Sequence, residues 1–221
     1  MKHKITALTL QKRNRQRVNV YLDGDFAFGL ARIVAAWLEV GQELTDEKIS
    51  QLREEDSREV AYQQALKFLN YRQRSASEIE KNLDKHGFGE AAIAHALERL
   101  RRAGLVNDAR FAQAWVENRS EFRPRSRRAL AFELKKRGIP EEIIRETLAD
   151  IDEDPLAYQA AIAQARKYRG LDWRAFRQKM YQFLARRGFN YDVSSEAVAR
   201  VWAELQEETD LESLPHEEVD E

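Results

Sequence analysis

The sequence predicts a mainly α-helical protein, built as a tandem array of three three-helix units behind a small N-terminal β-hairpin/α extension. Three observations predict this fold class. Apolar residues recur at helical spacing over most of the chain. Turns made of a glycine and an apolar residue interrupt these stretches. The whole pattern then returns at an interval of about fifty residues, which is typical of helical repeats.

The clearest unit has its second helix near residue 80. Ser75 or Ser77 can cap the start of this helix, because either hydroxyl can accept from the unpaired amides of the first turn. Ile79 and Leu83 form an apolar stripe, and Gly87 can supply the left-handed residue that ends the helix. The following helix has a single apolar face, formed by Ala92, Ile93, Ala96, Leu97 and Leu100.

Equivalent positions recur at intervals of 51 and 50 residues. The matching sets are Ile79, Leu130 and Met180, then Leu83, Leu134 and Leu184, then Gly87, Gly138 and Gly188. Such a period is typical of stacked units that are too small to bury their apolar faces alone. We therefore expect repeats at 60–105, 106–151 and 154–205, a β-containing extension at 1–59, and an acidic disordered tail at 206–221.

The first 59 residues predict a small β element. Ile5–Leu10 and Arg17–Leu22 alternate apolar and polar residues, as half-buried strands do. Asp23-Gly24 is a tight-turn signal, and Asp25–Phe28 follows it as the returning strand of a hairpin. Apolar residues between positions 30 and 38 then recur at helical spacing and predict a short helix.

Two further helices are predicted at the end of the extension. Thr45 can cap the first, and a charged run at 53–59 leads into the next, which would open the first repeat.

Composition and charge narrow the class of protein. The 221 residues are 43% hydrophobic and 34% charged, with no cysteine, which excludes disulfide scaffolds and thiol chemistry. No apolar run is long enough to span a membrane and no secretory signal is visible, so a cytoplasmic location without membrane contact is expected. Residues 204–221 carry nine acidic side chains and no Lys or Arg. Since the whole chain has a net charge of -1, residues 1–203 carry a net charge of +8.

No motif for catalysis is present. The chain has neither a phosphate-binding glycine loop nor a Gly-x-Ser-x-Gly elbow. Its four histidines, at positions 3, 86, 95 and 216, show no spacing with carboxylates that suits a metal. We therefore expect a non-enzymatic protein with no cofactor, no metal and no small-molecule substrate.

Basic residues flank the second helix of each repeat. Before it lie Arg72 and Arg74 in the first repeat, and Arg119, Arg123, Arg125, Arg127 and Arg128 in the second. Others stand at the helix ends, namely Lys135, Lys136 and Arg137 in the second repeat and Arg186 and Arg187 in the third. The helix dipole explains the latter equally well. The arginine cluster predicts a face that binds phosphates or carboxylates, with a solvated charged surface as the alternative. Tyr71 and Phe122 stand beside these arginines and are candidate exposed contacts.

An ordered set of motifs resembles the RecX regulatory protein family, bacterial modulators of the RecA recombinase. The motifs are Arg72-x-Arg74-Ser75-x-x-Glu78-Ile79, Leu83-x-x-x-Gly87-Phe88, Gly104-Leu105-Val106-Asn107-Asp108-x-x-Phe111-Ala112, Trp115, Arg119 and Glu133-Leu134-x-x-x-Gly138-Ile139. They cover roughly residues 60–150, and the third repeat extends the match more loosely. Val106-Asn107 departs from the Leu-Asp that is commoner in the family.

The resemblance implies a regulator of homologous recombination and DNA repair with no catalytic site. It implies binding along the groove of the RecA–ssDNA filament, with inhibition of RecA's ATPase and strand exchange. The partner would be the RecA nucleoprotein filament, with direct ssDNA or dsDNA contact in some members. The basic residues named above would form the contact face. The alternatives are a stand-alone DNA-binding helical-repeat protein, such as a transcription factor, and then a structural scaffold.

Overall fold

A computed structural model describes residues 1–212 of the chain and confirms the mainly α fold class. The chain forms two compact units, which meet in sequence between Asn107 and Asp108. The strands are β1 (Lys2–Leu10), β2 (Arg17–Leu22), β3 (Asp25–Ala31) and β4 (Glu43–Thr45). The helices are α1 (Asp46–Leu69), α2 (Ala76–Lys85), α3 (Glu90–Arg102), α4 (Asp108–Phe122), α5 (Arg127–Lys136), α6 (Glu141–Leu148), α7 (Glu153–Ala165), α8 (Trp173–Arg186) and α9 (Tyr191–Glu212).

The strands form one antiparallel sheet in the order β3-β2-β1-β4. Asp23 and Gly24 both have positive φ, 53° and 101°, which matches the right-handed twist of a two-residue hairpin turn. The inward residues Ile5, Val20 and Leu30 are fully buried and pack with Leu52 of α1. The predicted hairpin is therefore confirmed.

The helix predicted between residues 30 and 38 is wrong. Strand β3 continues to Ala31, where Leu30 pairs with Val18, and only a single 3-10 turn forms at Ala35–Trp37. Burial of Leu30 in the sheet core outweighs the local helical spacing, because tertiary contacts override weak propensities. Strand β4 was not predicted, since three residues are too few to show alternation.

Helix α1 joins the extension to the first repeat. It is one helix of 24 residues, so the predicted boundary between residues 59 and 60 falls within it, and the charged run at 53–59 is helical. Asp56 in this run receives the Arg17 guanidinium at 2.9 Å and the Ala31 amide at 2.5 Å. Glu59 is buried and receives Arg99 of α3 at 2.6 Å. Long-range partners therefore hold these charges inside a continuous helix.

The helices form three three-helix units, α1–α3, α4–α6 and α7–α9, and each unit has its own apolar core. The repeated positions account for the centres of these cores. Ile79 and Leu83, Leu130 and Leu134, and Met180 and Leu184 are all completely buried. The interval found in the sequence thus corresponds to the same two core positions on the second helix of each unit.

Each second helix ends in the same turn. Gly87, Gly138 and Gly188 have φ of 81°, 74° and 92°, and the next residue's amide donates to the carbonyl five residues back, at 3.2 to 3.3 Å. This is the Schellman arrangement, in which the apolar residue after the glycine returns to the core. The following residues Ile139 and Phe189 are indeed buried.

Helix α9 extends beyond the predicted end of the third repeat. It continues through Glu212, so residues 206–212 of the predicted tail are helical, and Glu208 accepts from Arg169 at 2.6 Å. The rest of that tail, residues 213–221, lies outside the described residues. None of the helices within 1–212 has the length and apolarity needed to cross a bilayer.

Candidate functional site: the basic faces

The basic residues of the first unit lie in the turn between α1 and α2. Arg72 makes a bidentate ion pair with Glu78, with Nη2 2.8 Å from Oε1 and Nη1 3.1 Å from Oε2. Glu78 also accepts from the Ser75 amide, while Ser75 Oγ accepts from the Glu78 amide at 3.2 Å. Ser75, and not Ser77, is therefore the N-cap of α2. Ser75 and Glu78 form a capping box, and Arg72 is paired with the Glu78 carboxylate of that box.

Arg74 and Tyr71 are arranged differently in this turn. The Arg74 guanidinium stacks over the Phe68 ring, 4.0 Å from its centre. Tyr71 is 84% exposed, as expected for a contact residue. Tyr71 is therefore presented to solvent, whereas Arg72 and Arg74 also hold the turn in shape.

Glu133 of α5 contacts three side chains on the polar face of the second unit. Its Oε2 accepts from Trp115 Nε1 at 2.8 Å and from Arg119 Nε at 2.9 Å, and its Oε1 lies 3.0 Å from Arg125 Nε. Arg119 and Arg137 lie over the Trp115 ring, at 4.2 and 3.7 Å from its centre. Three of the predicted basic residues, Arg119, Arg125 and Arg137, thus belong to one cluster around Glu133 and Trp115.

A second group of guanidiniums forms where α8 ends beside the loop between α4 and α5. Arg187 Nη1 donates to the Pro124 carbonyl at 2.9 Å, and the Ser126 amide donates to the Arg187 carbonyl at 3.1 Å. Burial, and then the positive charges of Arg125 and Arg123, lower the pKa of Arg187. The backbone contacts therefore hold like charges together, which leaves an excess of positive potential at this corner.

Close packing fixes the position of this corner. A Cβ at Gly188 would collide with Ser126 Oγ and lie 2.9 Å from Ala129 Cβ. Ser126 is itself buried and caps α5 by accepting from the Ala129 amide at 3.2 Å. The end of α8 therefore sits directly on the start of α5.

The remaining predicted residues fall into two classes. Arg127 is structural, because its guanidinium donates to the Ile151 carbonyl at 2.5 Å and its amide to Glu153 at 2.6 Å. Lys135 lies 3.9 Å from Glu141 across exposed surface, a weak pair. Of the other predicted residues, four are exposed and have no carboxylate partner among the side chains that the structure describes: Arg123, Arg128, Lys136 and Arg186. Phe122 is 67% exposed beside them.

Sequence reasoning missed the carboxylates that organise these faces. Glu133 and Glu78 appeared in the sequence only as parts of motifs, and their partners lie 14 and 6 residues away along the chain. At the helix ends, the two members of each basic pair also differ. Lys136 and Arg186 point to solvent, whereas Arg137 and Arg187 fold onto aromatic rings. No sequence signal separated these roles.

Comparison with known proteins places four family descriptions along the chain. They are the RecX N-terminal domain (residues 3–45) and the first, second and third three-helix domains of RecX (61–100, 107–148 and 152–198). The Regulatory protein RecX of Bacillus subtilis (strain 168) is 31% identical over 215 residues, which cover 95% of this chain and 81% of that one. The Regulatory protein RecX of Clostridium perfringens is 30% identical over 90% of this chain and 96% of its own.

A solved structure shares the architecture. A crystal structure of regulatory protein RecX superimposes with a TM-score of 0.68 at 29% identity, and covers 87% of this chain and 97% of that one. The similarity thus includes the N-terminal extension and all three helical units.

Proposed function

Because the chain belongs to the RecX regulatory protein family, we propose that it regulates the RecA recombinase by binding the RecA–ssDNA filament. Binding in the filament groove would lower RecA's ATP hydrolysis and strand exchange. The proposed contact residues are the exposed cations Arg123, Arg128, Lys136 and Arg186, together with Tyr71 and Phe122. Several weak contacts spread along a repeat array would add up to a strong one, either clamping neighbouring protomers or blocking filament extension.

One observation carries the location of the contact. Arg123, Arg128, Lys136 and Arg186 are exposed and unpaired among the described residues, while the neighbouring Arg119, Arg125 and Arg127 are engaged in structural contacts. Unpaired cations on ordered helices are available for acidic side chains or phosphates, because no existing ion pair has to be broken and only side chains, not the backbone, have to be ordered on binding.

The test is RecA's ssDNA-dependent ATP hydrolysis with substoichiometric amounts of the protein. We expect inhibition once filaments have formed. Full hydrolysis at every ratio, under conditions where filaments are present, would refute the proposal. Binding to ssDNA without any effect on RecA would favour the alternative of a stand-alone DNA-binding protein.

A further inference from the structure

The compact unit Met1–Asn107 contains a cavity of about 800 Å³. Its lining includes none of the residues of the basic faces. The cavity lies where the start of β2 and the end of β3 face the C-terminal half of α1. Arg17 and Ala31 form one side, and the segment from Glu59 to Lys67 forms the other. A volume of this size is in the range of small-ligand sites.

The lining of the cavity combines amide groups with an aliphatic surface. Asn14, Gln16, Gln63 and Gln64 supply side-chain amides, and Ile33, Val60 and Ala36 supply the apolar surface. Gln63 donates one hydrogen bond to Glu59 at 2.8 Å. Its carbonyl oxygen and second N–H remain to pair with a ligand, because an amide has two donors and two lone pairs.

The charges around the cavity select an anion. Glu59 is neutralised by Arg99 at 2.6 Å, and Arg17 by Asp56 at 2.9 Å. The other charged lining residues are Arg32 and Lys67, both exposed and without an ion-pair partner in the part of the chain that the structure describes. The uncompensated charge on the cavity wall is therefore positive.

Two features extend this site beyond the cavity. Ile33 also lines a neighbouring cavity of about 310 Å³ together with Trp37, whose side chain is 89% exposed. On the other side, the loop that carries Asn14 and Gln16 also carries the exposed residues Lys12, Arg13 and Arg15. An indole open to stacking and a row of cations suit the bases and phosphates of a flexible strand.

We propose that this cavity binds one nucleotide unit, with its phosphate on Arg32 and Lys67 and its base against the amide and aliphatic wall. Trp37 stacks on a neighbouring base, and the loop cations follow the backbone. The chemistry is that of a nucleotide, either within a single strand or free. The exposed indole and the loop favour the strand. None of its residues belongs to the basic face proposed to act on RecA, so the two proposals can be tested independently.

The direct test measures binding of a labelled oligothymidylate to the full chain by fluorescence anisotropy, without RecA. The variant Arg32→Gln/Lys67→Gln should bind about tenfold more weakly at low salt. The slope of log affinity against log salt should fall by about 0.7, since both side chains contact one phosphate and each lost phosphate contact on a single strand contributes about 0.7. The matched control is Lys81→Gln/Arg101→Gln, which removes the same charge from exposed positions of α2 and α3 outside the cavity. Less than a twofold loss is expected for it.

Two further arms identify the ligand. Trp37→Ala should weaken oligothymidylate binding about fivefold or more if the indole stacks on a base, while leaving any binding of thymidine monophosphate unchanged. Failure of the monophosphate to compete at millimolar concentration assigns the site to a strand. Competition that is abolished by Arg32→Gln/Lys67→Gln assigns it to a free nucleotide.

Equal behaviour of the cavity variant and its control with both ligands overturns the proposal. RecA inhibition by the same variants separates this outcome from failure of the proposed function. A chain with no nucleotide site would still inhibit RecA through its basic face, whereas a chain that binds nucleotides but does not regulate RecA would keep the difference between the variants.

Discussion

Trp115 Nε1 donates a hydrogen bond of 2.8 Å to Glu133 Oε2, which joins α4 to α5 through a largely buried carboxylate. The same oxygen accepts from Arg119 at 2.9 Å, and Arg119 in turn lies over the Trp115 ring. Motif residues that are 14 to 18 positions apart in the sequence are thus parts of one structural cluster. They shape the second unit, whereas the exposed cations Arg123, Arg128 and Lys136 take no part in this cluster.

Glu133→Ala should destabilise the second unit by about 2–3 kcal/mol, because Trp115 and Arg119 would lose their common acceptor and Arg125 its ion-pair partner. Urea unfolding followed by tryptophan fluorescence measures the change. Glu117→Ala, at an exposed position on α4, is the control and should alter the free energy of unfolding by less than about 0.5 kcal/mol. Equal effects of the two changes would show that the Glu133 cluster contributes nothing specific.

Arg123→Glu/Arg128→Glu should raise the concentration needed for half-maximal RecA inhibition about tenfold without changing the unfolding transition, since both side chains are exposed and have no ion-pair partner among the described side chains. Arg145→Glu, on the exposed side of α6, controls for a general effect of charge. Full inhibition by the double variant would exclude this corner as the contact surface.

Gly188→Ala should cost more than Gly87→Ala, although both glycines end a second helix with positive φ. At Gly87 the space around a Cβ is open, so only the backbone penalty of about 1–2 kcal/mol applies. At Gly188 the methyl group would also collide with Ser126 and Ala129, which adds about 1–3 kcal/mol. Hydrogen–deuterium exchange of peptides from α2, α5 and α8 resolves the two effects. Similar losses of protection in both variants would mean that the contact with Ser126 relaxes freely.

His3 provides a pH-dependent contact at the sheet. A hydrogen bond from its ring to Asp23, at 2.9 Å, and a further one to Asp46 raise the pKa of His3 above its ordinary value of 6.5. The contribution of protonated His3 to the free energy of unfolding is therefore complete below about pH 6.5. It is lost as the pH rises through the raised pKa of His3 in the folded state.

Asp23→Asn should lower the pKa of His3 toward that of a free histidine, as measured by NMR titration of the ring protons. Asp25→Asn, at an exposed position after the turn, is the control for a general change of charge. A His3 pKa that does not respond to Asp23→Asn would assign the shift to Asp46 alone.

Deleting residues 213–221 should tighten binding to ssDNA or to the filament at low salt if the acidic segment competes for the basic face. The cut is placed after Glu212 because Glu208 pairs with Arg169, so an earlier cut would also disturb α9. Anisotropy measurements at two salt concentrations provide the readout. Unchanged affinity at both would rule out competition. A chain in which Glu217, Glu218, Asp220 and Glu221 are changed to the corresponding amides serves as the matched control for length.

The sequence by itself determined the repeat interval, the six core positions at its centre, the three glycine turns and the β-hairpin. The core positions, the glycine turns and the hairpin are local signals, because a helix period, a cap or a tight turn depends on residues within a few positions of one another. The repeat interval is visible because the same local pattern recurs about fifty residues further along the chain. The family motifs were readable for the same reason. Where local spacing conflicted with distant partners, as at residues 30 to 38, the local signal was misleading, since Leu30 belongs to a strand whose partner is Val18.

Only the tertiary structure decided which cations hold the fold together and which remain exposed. Arg99 meets Glu59 across 40 residues, and Arg187 meets the Pro124 carbonyl across 63. Such pairs form because charged groups removed from water must find partners wherever the packing of helices places them, and not where the sequence places them. The cavity beside α1 likewise exists only because the sheet lies against that helix, so no spacing along the chain could have indicated it.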